Sequence, residues 1–189
     1  ARHAGVDLDL VVRNTTPYLL PPGSSARNRC RHGLAGVALP INGSTELSFR
    51  FVEGGTDRTV ELYAFVMSFF QGMSLDERVE PVKEVMMLPD PPERYWTSGR
   101  GVKVDVAGSG DDASLTFVSK LERRAAEASG VAGQRSLERV FTHAVKFARR
   151  GGFRATVGFL GSAGHLPELY FSGGRSDVVE ANDDSAGEV

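Results

Sequence analysis

The sequence contains a single cysteine, Cys30, among 189 residues. One cysteine cannot form an intramolecular disulfide, so the fold has to be stabilised by its hydrophobic core. A chain of this length buries about 70% of the surface that its unfolded form exposes, which makes a disulfide or metal staple unnecessary. A lone cysteine does not distinguish an oxidising compartment from a reducing one.

Long hydrophobic runs and a large net charge are also lacking. No run of 18 apolar residues occurs, whereas a transmembrane helix needs roughly 20. The net charge of −2 argues against a nucleic-acid-binding protein, which has a basic excess or a basic face. The first residue is Ala1 rather than Met, and we expect either removal of a targeting segment or origin in a longer precursor. We therefore predict an extracytoplasmic location, secreted or in an organelle lumen.

Motifs of nucleophilic catalysis and phosphate binding are missing. A nucleophile elbow needs Gly two residues before the Ser, and Leu160 occupies that position before Ser162. Cys30 and His32 lie two residues apart with no third group to orient them. Neither G-x-x-x-x-G-K-[ST] nor a G-x-G-x-x-G that opens a helix occurs. We predict no enzymatic activity and no cofactor, with a site assembled from acidic residues across a sheet as the remaining enzymatic alternative.

Metal-site spacing is absent as well. The four histidines do not have zinc-ligand spacing; they are His3, His32, His143 and His165. Asp111 and Asp112 follow a Gly-Ser-Gly turn and have oxygen ligands that suit Ca²⁺, but no alternating acidic loop surrounds them. We interpret them as solvated turn acids and predict no metal site.

Glycine and proline, by contrast, are abundant, with 22 Gly and 9 Pro. Such residues are typical of short strands joined by turns. Several segments alternate apolar and polar residues with the period of a half-buried strand; they lie at 6–13, 47–52, 102–106, 115–119 and 153–159. These patterns predict an all-β antiparallel sandwich of about seven to nine strands, in which 102–119 is a hairpin.

The remaining segments are less uniform. Residues 59–70 are apolar on both faces, which predicts a strand in the interior of its sheet and covered on both sides. In 74–88 we favour an edge strand because of Pro81, with a helix starting at Ser74 as the alternative. Residues 137–148 fit either a strand or a helix. The one plainly helical stretch is 121–129.

The domain organisation follows from these elements. Residues 1–175 are expected to form a single sandwich domain. Residues 176–189 are acidic and lack aromatic side chains, so we expect a disordered or extended tail.

Three short arginine clusters are candidate docking residues for an acidic protein surface or lipid head groups. They consist of Arg27, Arg29 and Arg31; Arg123 and Arg124; and Arg149 and Arg150. The alternative is a solvated surface without a partner. Two glycosylation sequons begin at Asn14 and Asn42, and both lie at strand ends or turns where a glycan would fit.

An aromatic pair provides a second functional hypothesis. Tyr95 and Trp96 lie between a Pro-rich and a Gly-rich segment, and exposed aromatic rings on β-sandwiches stack against sugars. This pair is the candidate platform of a carbohydrate-binding module. The structural alternative is that Trp96 covers an edge of the core.

Three segments together resemble a known type of domain. They are residues 6–18, residues 46–51 leading to 62–70, and residues 153–158 leading to 168–174. Their order and spacing are similar to a β-sandwich domain of extracytoplasmic proteins of algae and related protists. In that family an acidic turn usually follows the two aromatics of the central strand. Here Gln71 and Gly72 follow instead, so the acidic residues that would bind a cation in that turn are absent.

The resemblance and the absent motifs lead to one functional hypothesis. The chain is expected to be a non-enzymatic interaction domain, docked as a peripheral subunit to other proteins of a larger assembly. The resemblance implies that this assembly could be an algal photosynthetic membrane complex. A carbohydrate-binding module of a secreted or cell-surface protein is the alternative.

Overall fold

The structure, a computed structural model, describes residues 2–3, 6–19, 28–31, 34–40, 42–72, 83–98, 101–120, 139–161, 168–174 and 186–188. These residues form fourteen strands and one short 3-10 helix, Gly110–Asp112. The strands are β1 (Arg2–His3), β2 (Val6–Asn14), β3 (Arg29–Arg31), β4 (Leu34–Ala38), β5 (Gly43–Glu53), β6 (Leu62–Gly72), β7 (Lys83–Leu88), β8 (Arg94–Thr97), β9 (Val102–Ala107), β10 (Ser114–Lys120), β11 (Arg139–Arg150), β12 (Gly152–Leu160), β13 (Glu168–Gly174) and β14 (Ala186–Glu188).

The strands form two seven-stranded sheets in which neighbouring strands are antiparallel. The first sheet has the order β1-β2-β5-β12-β7-β10-β9, and the second has the order β14-β8-β11-β6-β13-β4-β3. The predicted all-β sandwich is therefore confirmed. Eleven strands have four residues or more, which exceeds the seven to nine predicted. Strands as short as β4 and β8, with five and four residues, carry too little alternation for the sequence pattern to predict them.

The hydrophobic core lies between the two sheets and is rich in phenylalanine. Alternation in β5 turns Leu47, Phe49 and Phe51 inward. Phe49 stacks on Phe153 of the same sheet with ring centroids 4.6 Å apart, and it meets Phe171 of the opposite sheet edge-on at 5.2 Å. One contiguous cluster draws side chains from both sheets, so the two layers share a single core.

Strand β6 is in the interior of the second sheet, paired with β11 on one side and β13 on the other. Met67 and Phe69 point into the core and are fully buried. On the opposite face, Val66 packs in a second buried cluster with Trp96 and Ala144. The predicted interior position is confirmed, whereas cover on the outer face is only partial, since Ala64, Ser68 and Phe70 are half-buried there. The predicted hairpin is confirmed as well, since β9 pairs with β10.

Strand β7 corrects one expectation. It lies between β12 and β10 in the first sheet, so the predicted edge position is wrong. Pro81 precedes the strand, so every residue of β7 retains the backbone N–H that an interior ladder requires. Residues 74–82, with the alternative helix start at Ser74, lie outside the described residues.

The second ambiguous segment is a strand, because β11 covers 139–150 and its central part pairs with β6 on one side and β8 on the other. A β-bulge at Thr142 shifts its register between Phe141 and His143. The predicted helix at 121–129 lies outside the described residues. Within the predicted tail, Ala186–Glu188 forms β14 and pairs with β8.

Candidate interaction surface

The chain crosses from the second sheet to the first at a corner between β11 and β12. Only Gly151 separates the two strands. A Cβ atom at Gly152 would lie 2.1 Å from the carbonyl oxygen of Phe49, and one at Gly151 would lie 2.6 Å from a methyl of Thr59. Glycine is therefore required at Gly152, where the obstacle is the backbone of β5, whereas at Gly151 only the Thr59 side chain would have to move.

Arg149 has a strained backbone immediately before this corner. Its φ is 46°, a left-handed conformation that residues with a Cβ rarely adopt. Such a conformation costs about 1–3 kcal/mol and is concentrated at functional positions. The guanidinium lies 5.8 Å from the ring centroid of Tyr63, which is 72% exposed. Tyr63 lies on β6 between the partners of Arg150 and Ala148. The result is an exposed cation–π pair.

Positive charge accumulates around the corner. Arg150 packs over the ring of Phe147 at 5.1 Å. Neither Arg149 nor Arg150 forms an ion pair with a carboxylate of the described residues.

Strand β5 adds a further arginine, because Arg50 pairs in register with Gly152. Arg50 and Arg13 share one carboxylate, that of Asp57, at 3.9 Å and 3.6 Å. One aspartate cannot neutralise two guanidinium groups, so the group formed by Arg13, Arg50 and Asp57 keeps one excess positive charge. We call Tyr63, Arg50, Arg149 and Arg150 the arginine corner.

The other predicted arginine clusters are not brought to this surface by the described residues. Arg29 and Arg31 lie in β3, an edge strand of the second sheet, on either side of the exposed Cys30. Arg27, Arg123 and Arg124 lie outside the described residues. Sequence reasoning identified Arg149 and Arg150 but missed Tyr63, because only the pairing of β6 with β11 places the tyrosine beside them.

Tyr95 and Trp96 do not form an exposed platform in this structure. Trp96 is only 7% exposed and packs with Val66 and Ala144 on the outer face of the second sheet. Tyr95 points to the opposite face, where its ring meets Phe117 edge-on at 5.7 Å. Adjacent strand residues face opposite sides of a sheet, so the two rings cannot stack on one sugar chain. This geometry fits the alternative of a structural role for Trp96 better than a sugar platform.

Both sequon asparagines are exposed, as a glycan would require, but their amides have local partners. Asn14 Nδ2 donates to the carbonyl oxygen of Thr16 at 3.0 Å. Asn42 Nδ2 donates to the carbonyl oxygen of Gly161 at 3.0 Å, while its Oδ1 accepts from the Gly161 N–H at 3.1 Å. Asn42 also has a positive φ of 55°, which asparagine tolerates well. Asn42 thus joins two turns, which accounts for asparagine here without a glycan.

The predicted turn acids follow strand β9. Asp111 and Asp112 belong to the 3-10 helix, and Asp112 is exposed. Within the described residues no group of three or more His, Cys, Asp or Glu side chains is arranged to hold a metal.

The core contains a polar cluster that the sequence analysis did not identify. His143 is fully buried, with its ring stacked between Phe69 and Phe117 at centroid distances of 4.9 Å and 4.2 Å. Its Nδ1 is 3.0 Å from Thr142 Oγ1, and its Nε2 is 3.1 Å from the sulfur of Met86. Burial lowers the pKa of His143 to about 3, so the imidazole is neutral at physiological pH.

Glu84 lies on the same inward face of β7 as Met86 and is 1% exposed. Neither of its carboxylate oxygens has a hydrogen-bond partner in the described part of the chain. Burial raises the pKa of Glu84 to about 8, so the carboxyl is mostly protonated at neutral pH. Its alternation with Met86 and Leu88 was the sequence signal that could have revealed it. Because solvent does not reach Glu84 or His143, they do not offer a substrate-accessible acid–base pair.

Comparisons with known proteins identify no relative. No protein-family model, no curated protein and no solved structure matches the chain. In the described residues, no helix has the length and apolarity needed to cross a bilayer.

Proposed function

We propose that the chain is a non-enzymatic interaction domain that docks through the arginine corner to an acidic surface of another protein. The observation that carries the proposal is the strained Arg149 held over the exposed ring of Tyr63. Tyrosine and arginine are the residue types enriched at the energetic centres of protein interfaces.

Charge supports an acidic partner. Arg149 and Arg150 have no carboxylate partner in the described residues, and Arg50 shares a single aspartate with another arginine. Guanidinium groups favour carboxylates because their planar fork donates two parallel hydrogen bonds. A flat partner surface with Asp and Glu side chains would match both the charge and the exposed ring.

The finer parts of the hypothesis continue to rest on the sequence. The sequence features predict a peripheral subunit in an organelle lumen or outside the cell. The resemblance alone adds the prediction that the host is an algal photosynthetic complex. The arginine corner is compatible with a peripheral subunit because such a subunit binds through one exposed surface.

The test is native purification of the tagged chain from its source under mild detergent, with mass spectrometry of the proteins that accompany it. Tyr63→Ala and Arg149→Asn are the test variants, since asparagine removes the charge yet tolerates the positive φ. Arg58→Ala is the matched control, because Arg58 is an exposed arginine of a turn paired with Glu53 at 2.5 Å.

We expect a stoichiometric partner with the wild type and the control, and its loss with both test variants. Hot-spot truncation weakens binding by about tenfold or more. Retention of the partner by all four proteins would refute the arginine corner as the docking site. A chain recovered alone in every fraction would refute the interaction-domain hypothesis itself.

A further inference from the structure

The first sheet ends in an edge strand, β9, which among the described residues pairs only with β10. Of the four edge strands in the described residues, β1 has two residues and β3 and β14 have three each, whereas β9 has six. Very short edge strands discourage pairing with other chains, and so do proline, bulges and covering loops. The sequence of β9 contains no proline, and its register with β10 is unbroken from Val102 to Ala107.

The backbone of β9 has an unused pairing side. An edge strand directs the N–H and C=O groups of alternate residues away from its only neighbour. Outside the ladder with β10, no backbone hydrogen bond joins β9 to any other described segment. Val106, on the inward face of the strand, is 52% exposed. The free edge thus combines unpaired backbone groups with apolar side chains that the core does not fully cover.

The side chains of β9 are self-complementary about its centre. If a second β9 pairs antiparallel with Val104 opposite Val104, then Lys103 of each copy lies opposite Asp105 of the other. Val102 of each copy then lies opposite Val106. Opposite charges meet on one face and valines meet on the other, and both kinds of cross-strand pair are stabilising.

We propose that β9 pairs antiparallel with β9 of a second copy, about a twofold axis at Val104, and joins the two first sheets into one continuous sheet. In the single chain, Lys103 Nζ pairs with Asp105 Oδ1 of its own strand at 2.7 Å, with both side chains largely exposed. Such an exposed pair contributes little, and the two internal pairs of two separate chains are replaced by two pairs across the axis, so the exchange does not oppose association. The twofold geometry makes the contact closed, and further copies cannot add.

The opposite edge of the first sheet is less suited to this role. β1 already pairs with the start of β2, at Val6 and Asp7. Farther along β2, Asp9 accepts a hydrogen bond from the Gly55 N–H at 3.0 Å, and Arg13 pairs with Asp57 at 3.6 Å. Those side chains are engaged within the chain, whereas Lys103 and Asp105 have only each other.

The test uses charge reversal and mixing. Lys103→Asp places two acidic residues opposite two others across the axis, and Asp105→Lys does the same with lysines. We expect each variant alone to dimerise at least about tenfold more weakly than the wild type, because two attractive pairs become repulsive. An equimolar mixture restores Lys opposite Asp at every position, so it should form a heterodimer as tight as the wild-type dimer.

The measurement is sedimentation velocity over a concentration range up to about 1 mM, since a six-residue edge is a small contact and small interfaces are weak. Arg58→Glu, a reversal at an exposed turn, is the control and should dimerise as the wild type does. Circular dichroism checks that each variant is folded.

Two outcomes would overturn the proposal. One is a wild-type chain that stays monomeric over the whole range, and the other is a dimer that both reversals leave intact. The Tyr63→Ala variant of the arginine corner should dimerise normally, because that residue lies in β6 of the other sheet.

Discussion

The buried carboxyl of Glu84 makes the stability of the fold depend on pH. In the folded protein its pKa is raised from 4.5 to about 8, whereas in the unfolded chain the group is solvated and titrates at its ordinary value. The unfolded chain therefore loses its proton first as pH rises. The stability that the protonated carboxyl permits is present below about pH 4.5 and is lost as pH rises toward 8.

The size of the effect follows from the shift. Each pKa unit corresponds to 1.36 kcal/mol. At pH 7 the carboxyl of the unfolded chain is ionised, because this pH lies about 2.5 units above its pKa, while the folded group remains mostly protonated. Glu84 by itself therefore makes the fold about 3 kcal/mol less stable at pH 7 than at pH 4. Glu84 is only 1% exposed, so water does not screen its carboxylate and the whole pKa shift contributes to the free energy of unfolding.

Glu84→Gln removes the titration and keeps the shape. We expect the variant to match the wild type near pH 4 and to exceed its free energy of unfolding by about 3 kcal/mol at pH 7. Urea unfolding at pH 4, 5, 6, 7 and 8 measures this difference. Glu84→Leu is the matched control: it changes the packing, yet its difference from the wild type should rise with the same slope. A difference that does not vary with pH for either variant would show that Glu84 is solvated or paired.

Two further predictions concern the core and the corner. Burial lowers the pKa of His143 from 6.5 to about 3, so this side chain by itself contributes a loss of roughly 3 kcal/mol as pH falls from 7 to 4, opposite in sign to the contribution of Glu84. In His143→Phe this loss should be absent, and equal acid sensitivity of the two proteins in urea unfolding would contradict it. Gly152→Ala would place a methyl 2.1 Å from the Phe49 carbonyl oxygen, so we expect a loss of about 1–3 kcal/mol in thermal unfolding. An unchanged melting temperature would mean that the corner relaxes freely.

Local patterns accounted for much of the fold. The alternation at 47–52 predicted an inward face that the structure confirms in Phe49 and Phe51. Residues 59–70, apolar on both faces, predicted the interior position of β6. These predictions succeeded because the side-chain period of a strand is a property of its own backbone. Such a pattern reports which residues are covered, without saying which strand covers them.

Features set by pairing between distant strands were not predictable in this way. The edge position inferred for β7 from Pro81 was wrong because β10 and β12, both far away in sequence, enclose that strand. The burial of Glu84 likewise depends on the two sheets closing over the inward face of β7. The bulge at Thr142 changes which side of β11 the following residues face, and no local sequence pattern indicated it.

The arginine corner, too, was predictable from the sequence only in part. The sequence by itself identified Arg149 and Arg150 as a cluster and Gly151 and Gly152 as a strand entry. Only the tertiary structure placed Tyr63 beside them, since its strand lies about 80 residues earlier and is joined to β11 by ladder hydrogen bonds. Composition and periodicity determine that this chain forms buried strands. The order of the strands, and hence which side chains meet, is decided by packing and pairing across the whole chain.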